Sequence, residues 1–181
     1  MSTSPQSPVI EFWFDLASTY SYFSVMRIEE AAARAGVAVQ WKPFLLGPIF
    51  QSFGWTNSPF VLQKEKGEYM WKDMAHQSRK YGLPWQQPSS FPRNSVLPVR
   101  VAMLGAQEPW IGEFCKGIML ASFAHDQDIS RPEVVGHVLS QIGLSASQVL
   151  DEAVGDANKL ALRQQTEEAA RRKVFGAPTF F

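Results

Sequence analysis

The chain has 181 residues, enough for one compact domain with a full core and room for a large insertion, and its 45% hydrophobic and 19% charged residues exclude a disordered tail, a collagen-like repeat or a charged coiled coil. Seventeen basic and seventeen acidic residues cancel to a net charge of +0, which leaves no global field to hold a nucleic acid or an anionic membrane. No apolar run reaches the ~20 residues of a spanning helix, and the N-terminal MSTSPQSP is not a secretory leader, so a cytoplasmic protein is expected.

Taken in chain order, residues 8–14 (PVIEFWF) are rich in branched and aromatic side chains and predict a strand buried on both faces. Residues 19–34 place Tyr22, Val25, Met26, Ile28 and Glu29 at helical spacing, run into alanines and stop at Gly36. Residues 37–42 alternate as a second strand closed by Pro43, and the intervening helix makes the two strands parallel. Strands then vanish. Ser58-Pro59 predicts an N-cap and first helical position for a helix reaching Tyr81, and Gly82 and Pro84 end it. Further helices are predicted over 95–104, with Pro98 tolerated in the first turn, and over 110–124. Capping boxes at Ser130-Arg-Pro-Glu133 and Ser145-Ala-Ser-Gln148 predict two short helices, and a last helix over 156–173 leads into a third strand-like segment, 174–181, interrupted by Pro178. The fold class is therefore α/β. Residues 1–43 and 156–181 form the sheet domain and residues 44–155 an inserted helical domain.

Chemistry is sparse. One cysteine, Cys115, allows neither a disulfide nor a CxxC pair, and its apolar neighbours mark it as a buried hydrophobe. His76, His125 and His137 lie far apart, so no metal site is indicated. The glycines fall in no phosphate-loop, dinucleotide or nucleophile-elbow pattern. What remains is the loop after the first strand, Asp15-Leu-Ala-Ser18-Thr-Tyr-Ser21-Tyr22. Ser18 there has two compatible readings. It can cap the helix, and, at the C-terminal end of a parallel strand facing a helix N-terminus, its hydroxyl can donate to a bound anion such as a thiolate.

Together with that loop, Trp41-Lys-Pro-Phe-Leu-Leu-Gly-Pro-Ile-Phe50, Phe91-Pro-Arg-Asn94-Ser95 and Val174-Phe-Gly-Ala-Pro178-Thr-Phe, taken in order along the whole chain, resemble the 2-hydroxychromene-2-carboxylate isomerases. These are relatives of DsbA-type oxidoreductases and kappa-class glutathione transferases. The resemblance implies a thioredoxin-like, DsbA-like fold with a large helical insertion, glutathione as cofactor, a small aromatic carboxylate as substrate, aromatic-compound breakdown as setting, and a homodimer. Ser18 and Ser21 stand at the two cysteine positions of a CxxC motif, and without thiolates dithiol exchange is closed to this chain.

Carried over, Ser18 is the catalytic residue that holds the glutathione sulfur, Ala177 pairs through its main chain with the cysteinyl backbone of glutathione, and Pro178 is the cis-proline. Both main-chain groups of Ala177 are then expected free of sheet partners. On the substrate side stand Lys42, as partner of a carboxylate, and Asn57, Ser58 and Asn94. Each has an ordinary alternative: a solvated strand end, a turn, or a cap. Trp55, Trp71, Trp85 and Phe91 either stack on a bicyclic substrate or belong to the core. The expected activity is isomerisation by transient addition of the glutathione thiolate. The rivals are a kappa-type glutathione transferase and a redox-inactive thioredoxin-like binding module. Because Phe180-Phe181 ends within an apolar strand, the chain is expected to continue, with the strand, turn and helix that complete a thioredoxin-like domain and grip the γ-glutamyl end of glutathione.

Overall fold

Residues 7–181 are described by the computed structural model, and its first three elements follow the physics of the N-terminal sequence. Strand β1 (Val9–Phe14) and strand β2 (Ala38–Pro43) run parallel, with Phe12 opposite Trp41 and Trp13 opposite Lys42. The crossover is helix α1 (Thr19–Ala35). Its N-cap Ser18 accepts from the Ser21 amide, and its C-cap Gly36 takes the left-handed conformation at φ 66°, which returns the cap amide to the carbonyls of Ala32 and Ala33. Only the second half of β1 is buried on both faces. Val9, at 60% exposed, begins the strand in solvent, a correction to the uniform burial that its composition predicts.

Nine further elements follow among the described residues, and some depart from the sequence reading. Helix α2 (Leu46–Ser52) follows β2 where no helix is predicted, and Pro48 falls in its first turn, where the missing N–H costs no helical bond. The helix predicted from Pro59 to Tyr81 is two: α3 (Pro59–Leu62) and α4 (Lys64–Tyr81), separated by Gln63 at φ −116°, ψ 95°. Gly67 allows this break, because a Cβ there would fall 2.2 Å from the Phe60 carbonyl oxygen. Next come α5 (Val96–Gly105), with Pro98 in its first turn, α6 (Ile111–Phe123), α7 (Pro132–Gln141), α8 (Ala146–Ala153) and α9 (Asp156–Arg171). The chain ends in β3 (Thr179–Phe180). Neither predicted capping box forms. Glu133 approaches Arg131 at 3.4 Å and Gln148 donates to Glu152 at 3.3 Å, so in both cases the side chain that should reach back to the cap has a charged neighbour instead.

β3 pairs antiparallel with the other edge of β1, Phe12 opposite Phe180, giving the order β2-β1-β3. Alternation along β1 sends Phe12 and Phe14 to one face and Trp13 to the other. The first face joins a large core with Tyr22 and Val25 of α1, Met70 and Met74 of α4, and Phe114, Ile118 and Phe123 of α6. Trp13 belongs to a smaller cluster with Phe44, Ile49, Ala169 and Val174. Cys115 lies in the large core, where burial pushes its thiol pKa up, as suits a hydrophobe rather than a nucleophile. No helix among the described residues is long and apolar enough to cross a membrane.

Candidate functional site

The C-terminal ends of β1 and β2 open onto a cavity of about 530 Å³. Its walls come from the β1–α1 loop, the start of α2, the Trp55–Phe60 segment, the segment before α5 and the Phe175–Ala177 turn before β3. Ser18, Asn57, Ser58, Asn94 and Ala177, distant in sequence, all line it. Ser18 caps α1 as its first reading expects, and its hydroxyl proton is taken within the fold. Its Oγ accepts from the Ser21 amide at 3.3 Å and donates to the Ala177 carbonyl oxygen at 2.8 Å. The Ala177–Pro178 bond is cis, as the resemblance implies, and so is Phe91–Pro92. Both main-chain groups of Ala177 are free of sheet partners, as expected: its N–H has no hydrogen-bond partner among the described residues, and its C=O accepts from the Ser18 side chain. Pro178 itself lies outside the lining.

Ser58 caps α3 by accepting from the Phe60 amide at 3.3 Å, Asn57 accepts from the Ser58 amide at 2.7 Å, and Asn94 accepts from the Val96 amide at 2.9 Å, so all three hold local turns while facing the cavity. Lys42 is a correction. It does not line the cavity, because strand alternation puts it beside Trp13, with the ammonium 5.8 Å from that ring. Of the four aromatics, Trp55 and Phe91 line the cavity; Trp71 and Trp85 pack against each other at 6.1 Å, with Trp85 stacked on Phe123, and belong to the core.

Four further residues line the site. Asp15, 3% exposed, forms part of the wall and receives three donors: the amides of Ala17 and Leu46, both at 2.8 Å, and the Ser95 hydroxyl at 2.6 Å. Burial raises its pKa, and the three donors offset part of that rise. It thereby ties the β1–α1 loop, the β2–α2 loop and the start of α5 into one frame. Lys66 on α4 supplies a cation. Among the described residues it is in no ion pair, and its ammonium sits 5.7 Å over the Phe60 ring. Arg93 also touches the cavity, but its guanidinium is buried away from it, donating to the Ser122 carbonyl at 2.8 Å and pairing with Asp126. Phe175, 77% exposed, forms an apolar part of the rim. Nothing in the local pattern distinguishes Lys66 from Lys64 or Lys72, and the Asp15 network joins segments whose proximity only the fold creates. The site as a whole is an apolar-walled pocket with a hydroxyl at the start of a 17-residue helix, one main-chain amide without a partner and one cation, a combination suited to an anionic, peptide-like ligand with an apolar second reactant.

The sequence matches the DSBA-like thioredoxin domain model over residues 9–181, and the chain belongs to that family. It is 26% identical to glutathione S-transferase kappa 2 from Caenorhabditis elegans, over 96% of this chain and 80% of that protein. It is 23% identical to the 2-hydroxychromene-2-carboxylate isomerase of Pseudomonas putida, over 96% and 84%. Among solved structures, a 2-hydroxychromene-2-carboxylate isomerase superposes with a TM-score of 0.85 at 22% identity, covering 96% of this chain and 84% of that one. The cytosolic disulfide reductase DsbM from Pseudomonas aeruginosa with GSH superposes with a TM-score of 0.69 at 14% identity, covering 95% and 84%. The expected thioredoxin-like, DsbA-like fold is thus established.

Proposed function

We infer that the chain binds glutathione and isomerises a small unsaturated aromatic carboxylate of the 2-hydroxychromene-2-carboxylate type, returning glutathione unchanged. The observation that carries this reading is the placement of the Ser18 hydroxyl at the start of α1, facing Ala177 across one wall of the cavity. The residues present fit a cysteinyl peptide. The Ala177 amide is without a partner among the described residues, and Lys66 offers a cation for a carboxylate. When bound, glutathione supplies the thiolate nucleophile that the chain itself lacks at positions 18 and 21.

Ser18 has one hydroxyl proton, and that proton is held by the Ala177 carbonyl. A ligand whose main-chain N–H donates to that carbonyl replaces the serine as donor and frees the hydroxyl to turn toward a sulfur anion, while the helix N-terminus favours the same charge. Trp55 and Phe91 give apolar wall to an aromatic ring, and the side-chain amides of Asn57 and Asn94 retain N–H donors for its oxygens, since only their carbonyl oxygens are engaged in the turns. Asp15 positions three of the loops that carry these groups.

A second reading, conjugation of glutathione to an electrophile, is favoured by the 26% identity to the kappa transferase. Incubation with 2-hydroxychromene-2-carboxylate and catalytic glutathione separates the two. Turnover of many substrate molecules per glutathione, with the thiol recovered, supports the isomerase; stoichiometric loss of free thiol supports the transferase. If neither occurs, both readings are overturned.

A further inference from the structure

A second cleft, of about 410 Å³, lies behind the wall of the first and shares Leu45, Pro48 and Val96 with it. Its long side is one face of α9. Lys159, Leu162, Arg163 and Thr166 recur there at the three- and four-residue intervals that stack side chains along a helix. Opposite stands α5, with Val96 and Arg100 one turn apart on its own facing stripe. The cleft therefore combines an apolar floor of Leu45, Val96 and the buried Leu162 with three cations, against Glu167 as its one acidic lining residue.

That is an unusual concentration in a chain whose charges cancel. Only Lys159 has an ion-pair partner among the described residues, Asp156 at 3.2 Å. Arg100 is half-buried and its guanidinium has neither ion-pair nor hydrogen-bond partner among the described residues; the Asn158 side chain binds its main-chain carbonyl at 2.9 Å and leaves the fork of donors unused. Arg163 is likewise unpaired. Thr166 accepts from the Leu45 amide at 3.3 Å and keeps its own proton to donate. The half-buried Arg100 guanidinium, with the exposed Arg163 beside it and an apolar floor, matches a carboxylate carried on an aromatic or short aliphatic body, and the planar fork suits the two carboxylate oxygens.

We propose that this cleft is a binding site for a small organic carboxylate, separate from the main cavity, with Arg100 and Arg163 holding the carboxylate and Leu162 and Val96 its apolar body. The inference does not rest on glutathione chemistry. The test is a titration of the full chain with benzoate, followed by amide NMR, with the uncharged benzyl alcohol as control. Amides at Leu162, Arg163 and Thr166 should shift saturably and together, benzyl alcohol should leave them nearly unmoved, and the affinity should fall roughly tenfold or more in Arg100→Gln and in Arg163→Gln. Arg163 is exposed on α9, so Arg163→Gln keeps the test open if the α5 variant folds poorly. Shifts confined to Ser58, Asn94 and Ala177, the absence of saturable shifts on α9, equal binding of benzyl alcohol, or undiminished binding in folded Arg163→Gln would overturn the proposal.

Discussion

The hydroxyl of Ser18 donates to the carbonyl oxygen of Ala177 at 2.8 Å, joining the start of α1 to the turn before β3 across 159 positions of sequence. The Ser18 Oγ also accepts from the Ser21 amide, so one side chain both starts a helix and closes one side of the cavity. A serine at this position costs the chain any thiol chemistry of its own but leaves a donor where an anion is favoured.

Ser18→Ala removes both bonds at once. Unfolding free energy should fall by about 1–2 kcal/mol, from one lost cap and one carbonyl left without its donor. Ser18→Thr, which keeps the hydroxyl, should recover most of it. Chemical denaturation of the two variants checks this, and an unaltered midpoint in the alanine variant would mean that neither bond contributes.

Asp15 governs a pH dependence whose sign is opposite to that of most carboxylates. Burial raises its folded pKa above 3.8, so between that value and the folded pKa the native protein holds a proton that the unfolded chain has released. Its contribution is therefore complete below the unfolded pKa and is lost as pH rises through the folded one. Asp15→Asn cannot titrate and should abolish that fall, while costing about 1–3 kcal/mol through a donor left without an acceptor. Urea midpoints measured over a pH series for both proteins decide it, and parallel curves would contradict the assignment.

How much of this was readable beforehand depends on the range of the interaction. The α1 cap, the stop at Gly36 and the parallel pairing of β1 and β2 are local or pattern-driven, and residues 9–43 behave as their periodicity predicts. Ser18, Asn57, Ser58, Asn94 and Ala177 are candidates through the family resemblance, and the fold gathers them around one cavity. Lys42 failed because a two-residue alternation, not proximity to the loop, decides which face of a strand a side chain takes. Asp15 was invisible as a site residue because two of its three donors come from 31 and 80 positions away. The capping boxes failed at exposed positions, where a charged neighbour outcompetes a backbone amide.

Gly67→Ala should be destabilising by about 1–3 kcal/mol, since the new methyl meets the Phe60 carbonyl rather than a side chain that can move. Gly47, with no atom within 4 Å of its ideal Cβ, is the internal comparison: Gly47→Ala in α2 should be neutral or stabilising by about 0.5–1 kcal/mol. Thermal unfolding of both variants tests the close approach of α3 and α4, and equal effects would refute it.

Arg93→Met should lower stability by about 2–3 kcal/mol, because it strips the Ser122 carbonyl and Asp126 of a buried charged donor. Asp126, whose pKa is held down first by the Ser89 amide and also by Arg93, keeps the Ser89 contacts in that variant. A loss under 0.5 kcal/mol, the size of an ordinary surface change, would show Arg93 to be dispensable.

In the proposed function, Ser18 and the N-terminus of α1 hold a glutathione thiolate. Titration of the thiolate ultraviolet absorbance of glutathione bound to the wild-type chain, repeated with Ser18→Ala, tests it most directly. The expected results are saturable binding, a bound thiol that ionises at lower pH than free glutathione, and a pKa that moves back up in the alanine variant. A bound thiol that ionises at the same pH as free glutathione, an identical titration in both proteins, or no saturable binding at all would contradict it.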